Sequence, residues 1–273
     1  MKPAKFDFVR ADSLDEALGV LANEGTDARI IAGGMSFMAM LNMRLARPKV
    51  LVDIMRLKDL ARIDIGRDVT ISAGIRQAQL LAHPQLPRVL PLVSKGLPFT
   101  GHVQTRARGT VCGSIAHADP SAELPLCLIA LKGQVHLRTA RKTRKVAAEE
   151  FFTGMMATAK ADDEMIEAIS FPAAKGEGTA FSEVARRHGD FAIVACAAVV
   201  TQKSIRLAVG GVADVPTARD FPLLDGAALD DALNTLAWEL DARDDVHASA
   251  RYRRELVRRI GRSTIEEALR CRA

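Results

Sequence analysis

The sequence contains few cysteines and few aromatic residues. Only 4 of its 273 residues are cysteine, and only 4% are Phe, Trp or Tyr. The cysteines are scattered at Cys112, Cys127, Cys196 and Cys271 and form no C-x-x-C pair. The sequence therefore predicts neither a disulfide framework nor a zinc or iron–sulfur site, and we expect reduced, mostly buried thiols and no metal bound by this chain.

Long apolar runs are also missing. The longest nearly unbroken one, residues 191–200, covers about half of the roughly 20 residues that cross a bilayer. The first residues, MKPAKFD, carry charge with no apolar stretch behind them and do not resemble a secretory signal. We therefore expect no membrane span and a cytoplasmic location.

The charge balance is basic. The net charge is +5 and the isoelectric point is near 9.2, which suits an anionic ligand, an acidic protein surface or a nucleic acid. The scarcity of aromatic residues and the lack of a nucleic-acid-binding motif disfavour nucleic acid. Apolar residues make up 48% of the chain, enough for a core divided over two or three small domains.

Hydrophobic patterning predicts three α+β units, at residues 1–56, 57–175 and 176–273. In the first unit, a capping box at residues 13–16 predicts a short helix that Gly25 ends. Strands predicted at 29–32 and 50–53 flank a helix over about 37–45.

The second and third units differ in pattern. The second has predicted strands at 69–73, 135–138 and 165–171 and a helix at 76–81. A linker rich in Ala, Gly and Pro follows at 172–178. The third combines a strand meander (180–185, 192–201, 204–209) with helices at about 229–240, 246–260 and 264–270.

A glycine-rich turn follows the first predicted strand. Residues 32–36, AGGMS, lead directly into the predicted helix. Consecutive glycines let the backbone approach a ligand closely, and a helix start offers unpaired N–H groups to an anion such as a phosphate. The segment is neither G-x-G-x-x-G nor a Walker-type loop. Taken alone, a plain strand-to-helix turn is its simpler explanation.

A second flexible turn lies at residues 109–114, GTVCGS, and the segment 118–125, ADPSAELP, follows it. Two such turns could clamp one diphosphate. The carboxylates of Asp119 and Glu123 could then accept hydrogen bonds from ribose, ribityl or ring N–H donors. The alternative is that both carboxylates cap helices, with Pro120 at a helix start.

Together these motifs resemble the FAD-binding medium subunits of the molybdenum hydroxylases, the group of xanthine dehydrogenase and carbon monoxide dehydrogenase. Residues 32–36 resemble the family's A-G-G-x-S turn, residues 110–113 its T-x-G-G turn, and residues 118–125 its A-D-P-x-A-E-L-P segment. Residues 181–192 are similar to its F-x-K-x-x-x-R-x-x-D-x-A run. Residues 210–213 and 248–253 resemble two later signatures, so the likeness extends over essentially the whole chain.

The resemblance implies an α+β fold. A two-part FAD-binding domain of the vanillyl-alcohol-oxidase/PCMH type, at 1–56 and 57–175, is followed by a small α+β C-terminal domain at 176–273. It implies non-covalent FAD and no catalytic acid or base, because the flavin carries the chemistry. The cofactor-binding residues so expected are Arg29, Ile31, Ala32, Gly33, Gly34, Met35, Ser36, Phe37, Thr110, Val111, Cys112, Gly113, Ser114, Asp119, Glu123, Ile166 and Asp190.

Two residues depart from the family pattern. Cys112 stands where the family has the first of two glycines, which would bring a thiol near the flavin or its diphosphate. Ser182 is taken to stand where some relatives carry a Lys beside the flavin ring.

The resemblance also implies partners. A large subunit would carry the molybdenum cofactor and a small subunit the [2Fe-2S] clusters, in a dimer of heterotrimers. This chain would take electrons from the clusters and pass them to an external acceptor. Two other functions are kept open: a free-standing FAD-dependent oxidoreductase, and a nucleotide-binding scaffold module without redox activity.

Overall fold

A computed structural model describes residues 2–272. We call residues 2–56 the N-terminal region, 57–175 the middle region and 176–272 the C-terminal region. In the N-terminal region the order is β1 (Asp7–Arg10), α1 (Leu14–Glu24), β2 (Ala28–Ile31), α2 (Phe37–Asn42) and β3 (Val50–Asp53). The strands form a parallel sheet in the order β1-β3-β2. Strand β1 was not predicted; three of its four residues are exposed, so its sequence lacks a buried strand's apolar pattern.

Helix α1 confirms the predicted capping box in a modified form. The Ser13 side chain accepts the backbone N–H of Glu16 at 3.1 Å, and the Glu16 carboxylate accepts the backbone N–H of Asp12 at 2.7 Å. The reciprocal bond of the box thus reaches Asp12 rather than Ser13 itself. Gly25, with a φ of +52°, ends the helix as predicted.

The middle region contains an antiparallel five-stranded sheet in the order β4-β5-β10-β6-β7. Its strands are β4 (Ile63–Ile65), β5 (Asp68–Ser72), β6 (Gln134–Arg138), β7 (Thr143–Ala147) and β10 (Met165–Pro172). Its helices are α3 (Gln77–Leu81), α4 (Leu86–Val89), α5 (Pro91–Gly96), α6 (Val103–Arg108), α7 (Val111–His117), α8 (Glu123–Ala130) and α9 (Ala148–Phe151). A small hairpin is formed by β8 (Phe152–Gly154) and β9 (Ala157–Thr158).

Helix α8 was not predicted from the sequence. All eight of its residues are buried, because it lies between α5, α7 and α9 on one side and the C-terminal sheet on the other. A helix that is apolar all round has no amphipathic period by which to recognise it.

The C-terminal region has an antiparallel sheet in the order β11-β12-β13-β14, covered by two helices. The elements are β11 (Gly178–Val184), β12 (Val194–Val200), β13 (Ser204–Gly210), β14 (Thr217–Pro222), α10 (Gly226–Glu239) and α11 (Ala250–Arg270). The two helices predicted at 246–260 and 264–270 are wrong as separate elements, since α11 is continuous. Gly261 lies inside it, where a Cβ would approach Leu207 to 3.2 Å, so this glycine serves close packing rather than a break.

The hydrophobic core supports the expected α+β architecture. One core cluster runs through the N-terminal and middle regions and extends to the face of the C-terminal sheet that packs on them, with Phe181 and Ala197, and a second lies between the C-terminal sheet and α10 and α11. The first two regions therefore share a core, as the two halves of one domain do. None of the helices formed within residues 2–272 has the length and hydropathy needed to cross a membrane.

Candidate cofactor site

The first glycine-rich turn joins β2 to α2. Gly34 has a φ of +72°, a conformation that favours glycine, and its carbonyl accepts the N–H of Met38 at 3.0 Å. Within residues 2–272, the backbone N–H groups of Gly33, Gly34, Met35, Ser36 and Phe37 have no hydrogen-bond acceptor. These five consecutive donors therefore need an acceptor from outside the chain or from water.

The two predicted turns lie against each other. A Cβ at position 33 would lie 2.8 Å from the Cα of Gly109 and would overlap the Arg108 carbonyl. Only glycine permits this approach. Since Gly109 directly precedes Thr110, the structure brings residues 32–36 and 109–114 to one place, as the sequence predicted.

The second turn is organised by Thr110, the N-cap of α7. Its hydroxyl accepts the N–H of Gly113 at 3.0 Å, and a Cβ on Gly113 would lie 2.6 Å from that same oxygen. Val111 donates its N–H to the carbonyl of Ile75 at 2.9 Å. Several amides of this turn are thus used within the protein, and among the described residues only the Thr110 and Cys112 N–H groups of 110–114 lack an acceptor. The second turn offers fewer free donors than the first.

The thiol of Cys112 points into the core. Its Sγ lies 3.5 Å from the carbonyl of Ile71 in β5, and the residue is 3% exposed. Burial raises the pKa of this thiol to about 12. The expectation that Cys112 brings a thiol to the flavin or its diphosphate is therefore wrong, although its backbone belongs to the turn.

The predicted residues Asp119 and Asp190 line one cleft of about 790 Å³ between the middle and C-terminal regions. The Asp119 carboxylate accepts the N–H of Ser121 at 2.8 Å, so it stabilises the turn that leads to α8. The cleft also contains Met155 and Met156 from the tip of the β8–β9 hairpin and the exposed ring of Phe191. These three apolar residues were not predicted from the sequence, since nothing local marks them as neighbours.

Glu123 lies deeper than Asp119, at the first position of α8. It is 4% exposed, and its carboxylate accepts the hydroxyl of Thr100 at 2.9 Å. Burial raises its pKa, an effect that the Thr100 hydrogen bond partly offsets. It begins the helix rather than capping it, because the N-cap position is Ala122.

The other predicted residues lie around the first turn or apart from it. Arg29 and Ile31 are in β2, and Arg29 forms a 3.3 Å ion pair with Asp162 of the middle region. Ile166 is buried in β10 opposite Leu137, and its place in a flavin pocket stays a prediction. The serine hydroxyl of Ser114 lies in the first turn of α7.

The assignment of Ser182 to the position of the family lysine is wrong. Counted along F-x-K from Phe181, the third position is Glu183. Side chains alternate along a strand, so Ser182 also lies on the opposite face of β11 from Phe181 and Glu183.

Comparisons with known proteins agree with this architecture. Residues 4–174 match the FAD-binding domain in molybdopterin dehydrogenase, and residues 179–268 match the CO dehydrogenase flavoprotein C-terminal domain. The 6-hydroxypseudooxynicotine dehydrogenase complex subunit alpha of Paenarthrobacter nicotinovorans is 36% identical, over 98% of this chain and 96% of that protein. The nicotine 6-hydroxylase medium subunit of the same organism is 33% identical, over 98% and 99%.

Solved structures extend the likeness to three dimensions. Carbon monoxide dehydrogenase from Hydrogenophaga pseudoflava superposes with a TM-score of 0.94 at 29% identity, covering 100% of both chains. Quinoline 2-oxidoreductase from Pseudomonas putida 86 gives a TM-score of 0.91 at 29% identity, covering 98% of each. The fold, both family domains and relatives matched over nearly their full length converge: this chain belongs to the FAD-binding medium subunits of the molybdenum hydroxylase family, which includes xanthine dehydrogenase and carbon monoxide dehydrogenase.

Proposed function

We propose that the diphosphate of one non-covalent FAD binds between residues 32–36 and 109–114. The observation that carries this proposal is the run of five N–H groups, Gly33 to Phe37, that have no acceptor in the described part of the chain. The Gly33–Arg108 contact holds this run against the second turn. Backbone amides at the start of a helix stabilise an anion without a basic side chain. The site therefore fits the diphosphate of a dinucleotide.

The flavin end of the cofactor is proposed to extend toward the cleft that Asp119 and Asp190 line. Carboxylates accept hydrogen bonds, so they suit the ribityl hydroxyls and the ring N–H. When bound, FAD supplies the redox chemistry. The protein residues orient it, limit water around it and leave one side of the cleft, with Met155, Met156 and Phe191, open to another molecule.

We further propose that electrons arrive from [2Fe-2S] clusters of a small subunit and leave to an external acceptor. The large subunit would hold the molybdenum cofactor and hydroxylate the substrate. The proposal also includes a dimer of heterotrimers, a cytoplasmic location and domain boundaries after residues 56 and 175. The separate C-terminal core and the full-length match to proteins named as subunits of complexes support it.

Titration of the purified chain with FAD tests the cofactor assignment. We expect flavin absorbance that saturates at one FAD per chain and is released by acid precipitation, as non-covalent binding requires. Failure to take up FAD would favour a scaffold module. Reduction of the bound flavin by an organic substrate without partner subunits would instead favour a free-standing oxidoreductase.

A further inference from the structure

A series of hydrogen bonds joins the helix before the second turn to the start of α8. Arg106 lies in α6, and its Nη1 atom is 2.9–3.1 Å from the carbonyl oxygens of Pro98, Thr100 and Gly101. The hydroxyl of Thr100 in turn donates to the Glu123 carboxylate at 2.9 Å. Arg106 is thus linked to Glu123 through the loop that carries Thr100.

Arg106 holds this loop, residues 98–101, in its shape. Among residues 2–272, no backbone N–H donates to the carbonyls of Thr100 and Gly101, so the guanidinium is their donor within the protein. Gly101 has a φ of +53°, and a Cβ there would lie 2.9 Å from the Cβ of Thr105. The loop therefore packs tightly on α6, and charge-assisted hydrogen bonds from one side chain fix it there.

The last bond of the series is buried. Thr100 is 9% exposed and Glu123 is 4% exposed. Burial raises the pKa of Glu123, and Asp119 raises it further, whereas the Thr100 hydrogen bond and the charge of Arg106 lower it. Arg106 therefore acts on Glu123 in two ways, through the position of Thr100 and through its own charge.

The same short helix also touches both diphosphate turns. Gly109 follows α6 directly and donates its N–H to the carbonyl of Thr105 at 2.7 Å. The carbonyl of Arg108, the last residue of α6, is the group on which Gly33 packs. Helix α6 thus connects the two turns with the loop that holds Glu123.

We infer that Arg106 is a positioning residue of the cofactor site, which holds the Glu123 carboxylate in a fixed place relative to the two turns and acts on the cofactor through Thr100 and Glu123. The Thr100 bond uses Oε2 of Glu123, so Oε1 stays free to accept a hydrogen bond from the cofactor. That Glu123 accepts a bond from FAD rests on the proposed function. Such contacts depend on placement to within about 0.5 Å, which packing and supporting hydrogen bonds provide.

A double-mutant cycle on the FAD-free full chain tests the link between Thr100 and Glu123. Chemical denaturation compares wild type, Thr100→Val, Glu123→Leu and the double variant. Both single changes remove the same hydrogen bond, so their summed effects should exceed the effect of the double variant. For a hydrogen bond to a charged group, the excess is roughly tenfold or more in the unfolding equilibrium constant. Additive effects would overturn the inference.

FAD titration tests whether Arg106 acts on the cofactor through Glu123. In the wild-type background, Arg106→Met and T100V should each raise the Kd by roughly three- to tenfold. Thr100→Ser keeps the hydroxyl and should restore the Kd. In the E123L background, R106M and T100V should have no further effect. An unchanged Kd in the wild-type background, or an equal loss in both backgrounds, would show that Arg106 does not act through Glu123.

Thr139→Val is the matched control. Thr139 is 7% exposed, and its hydroxyl accepts the N–H groups of Arg141 and Lys142 at 3.1 Å in the hairpin between β6 and β7. This variant should lower the Tm and leave the Kd for FAD unchanged. If T139V weakens FAD binding as much as T100V does, general destabilisation is the cause and the inference is wrong.

Two further outcomes are distinguishable. If R106M does not fold, Arg106→Lys, which keeps the charge on a shorter side chain, takes its place and should raise the Kd in the wild-type background but not in the E123L background. If wild type itself does not bind FAD, the proposed function fails. The denaturation cycle then still decides whether Thr100 and Glu123 act as one unit.

Discussion

Gly33 lies so close to the backbone of Arg108 and Gly109 that no side chain fits between them. A Cβ at position 33 would be 2.8 Å from the Gly109 Cα. This contact joins a turn of the N-terminal region to a turn of the middle region. It explains why a ligand could be held by both at once.

Gly33→Ala should therefore weaken FAD binding. The methyl group would push the turns apart, and each charge-assisted hydrogen bond that is lost to the diphosphate costs about 1.5–3 kcal/mol, roughly tenfold or more in Kd. FAD titration of the purified variant measures this. The matched control is Gly19→Ala in α1, where a Cβ would have nothing within 4 Å; equal Kd values for the two variants would contradict the placement of the site.

Thr110→Val should loosen the second turn, because valine has nearly the shape of threonine but lacks its hydroxyl. The valine cannot accept the N–H of Gly113, and loss of an N-cap of this kind costs about 1 kcal/mol of stability. We expect a lower Tm and weaker FAD binding. Thr110→Ser keeps the hydroxyl and should restore most of both; a serine variant as weak as valine would show that the hydroxyl is not the cause.

Arg206→Leu should destabilise the contact between α8 and the C-terminal sheet. The guanidinium, 8% exposed, donates to the carbonyl of Ile129 at 3.1 Å and to Asp220 at 2.8 Å, and it pairs with Glu149. Its loss removes these charged hydrogen bonds, each of which contributes about 1.5–3 kcal/mol, although the Ile129 carbonyl still accepts the N–H of Lys132 at 3.1 Å. Chemical denaturation measures the change in the free energy of unfolding.

Arg219→Leu is the control for this variant. Its ion pair with Glu239 has both side chains 48% exposed, and such pairs contribute about 0–1 kcal/mol. If R219L destabilises the protein as much as R206L, burial of the guanidinium is not what matters.

The four thiols should differ sharply in reactivity. Cys271 is exposed, whereas Cys112, Cys127 and Cys196 are buried. Burial raises the pKa of all three, that of Cys112 to about 12, so they hold little thiolate. Alkylation of the native protein at pH 8 followed by mass spectrometry should modify Cys271 alone; labelling of Cys112 in the folded chain would mean that this thiol faces solvent or the cofactor.

The features predicted correctly from the sequence are those that contacts between neighbours in the chain determine. Both glycine-rich turns and the α1 cap were found because their residue types act on neighbours in the chain. The Asp119 carboxylate accepts the backbone N–H of Ser121 in its own turn. This is a local structural role, similar to the helix-capping role given above as the alternative for this residue.

Long-range packing accounts for what was missed. Helix α8 is buried on every side, and Gly261 serves contact with Leu207, so neither carries a local signal of its structure. The direction of the Cys112 thiol depends on its contact with β5. Only the folded chain brings these groups together.

Amide hydrogen exchange with and without FAD tests the central claim most directly. The N–H groups of Gly33 to Phe37 have no acceptor among residues 2–272 and should exchange rapidly in the FAD-free chain. Bound FAD should slow exchange at these residues together with Cys112, because the diphosphate accepts their hydrogen bonds. FAD bound at one equivalent with unchanged exchange at residues 33–37 would contradict the account.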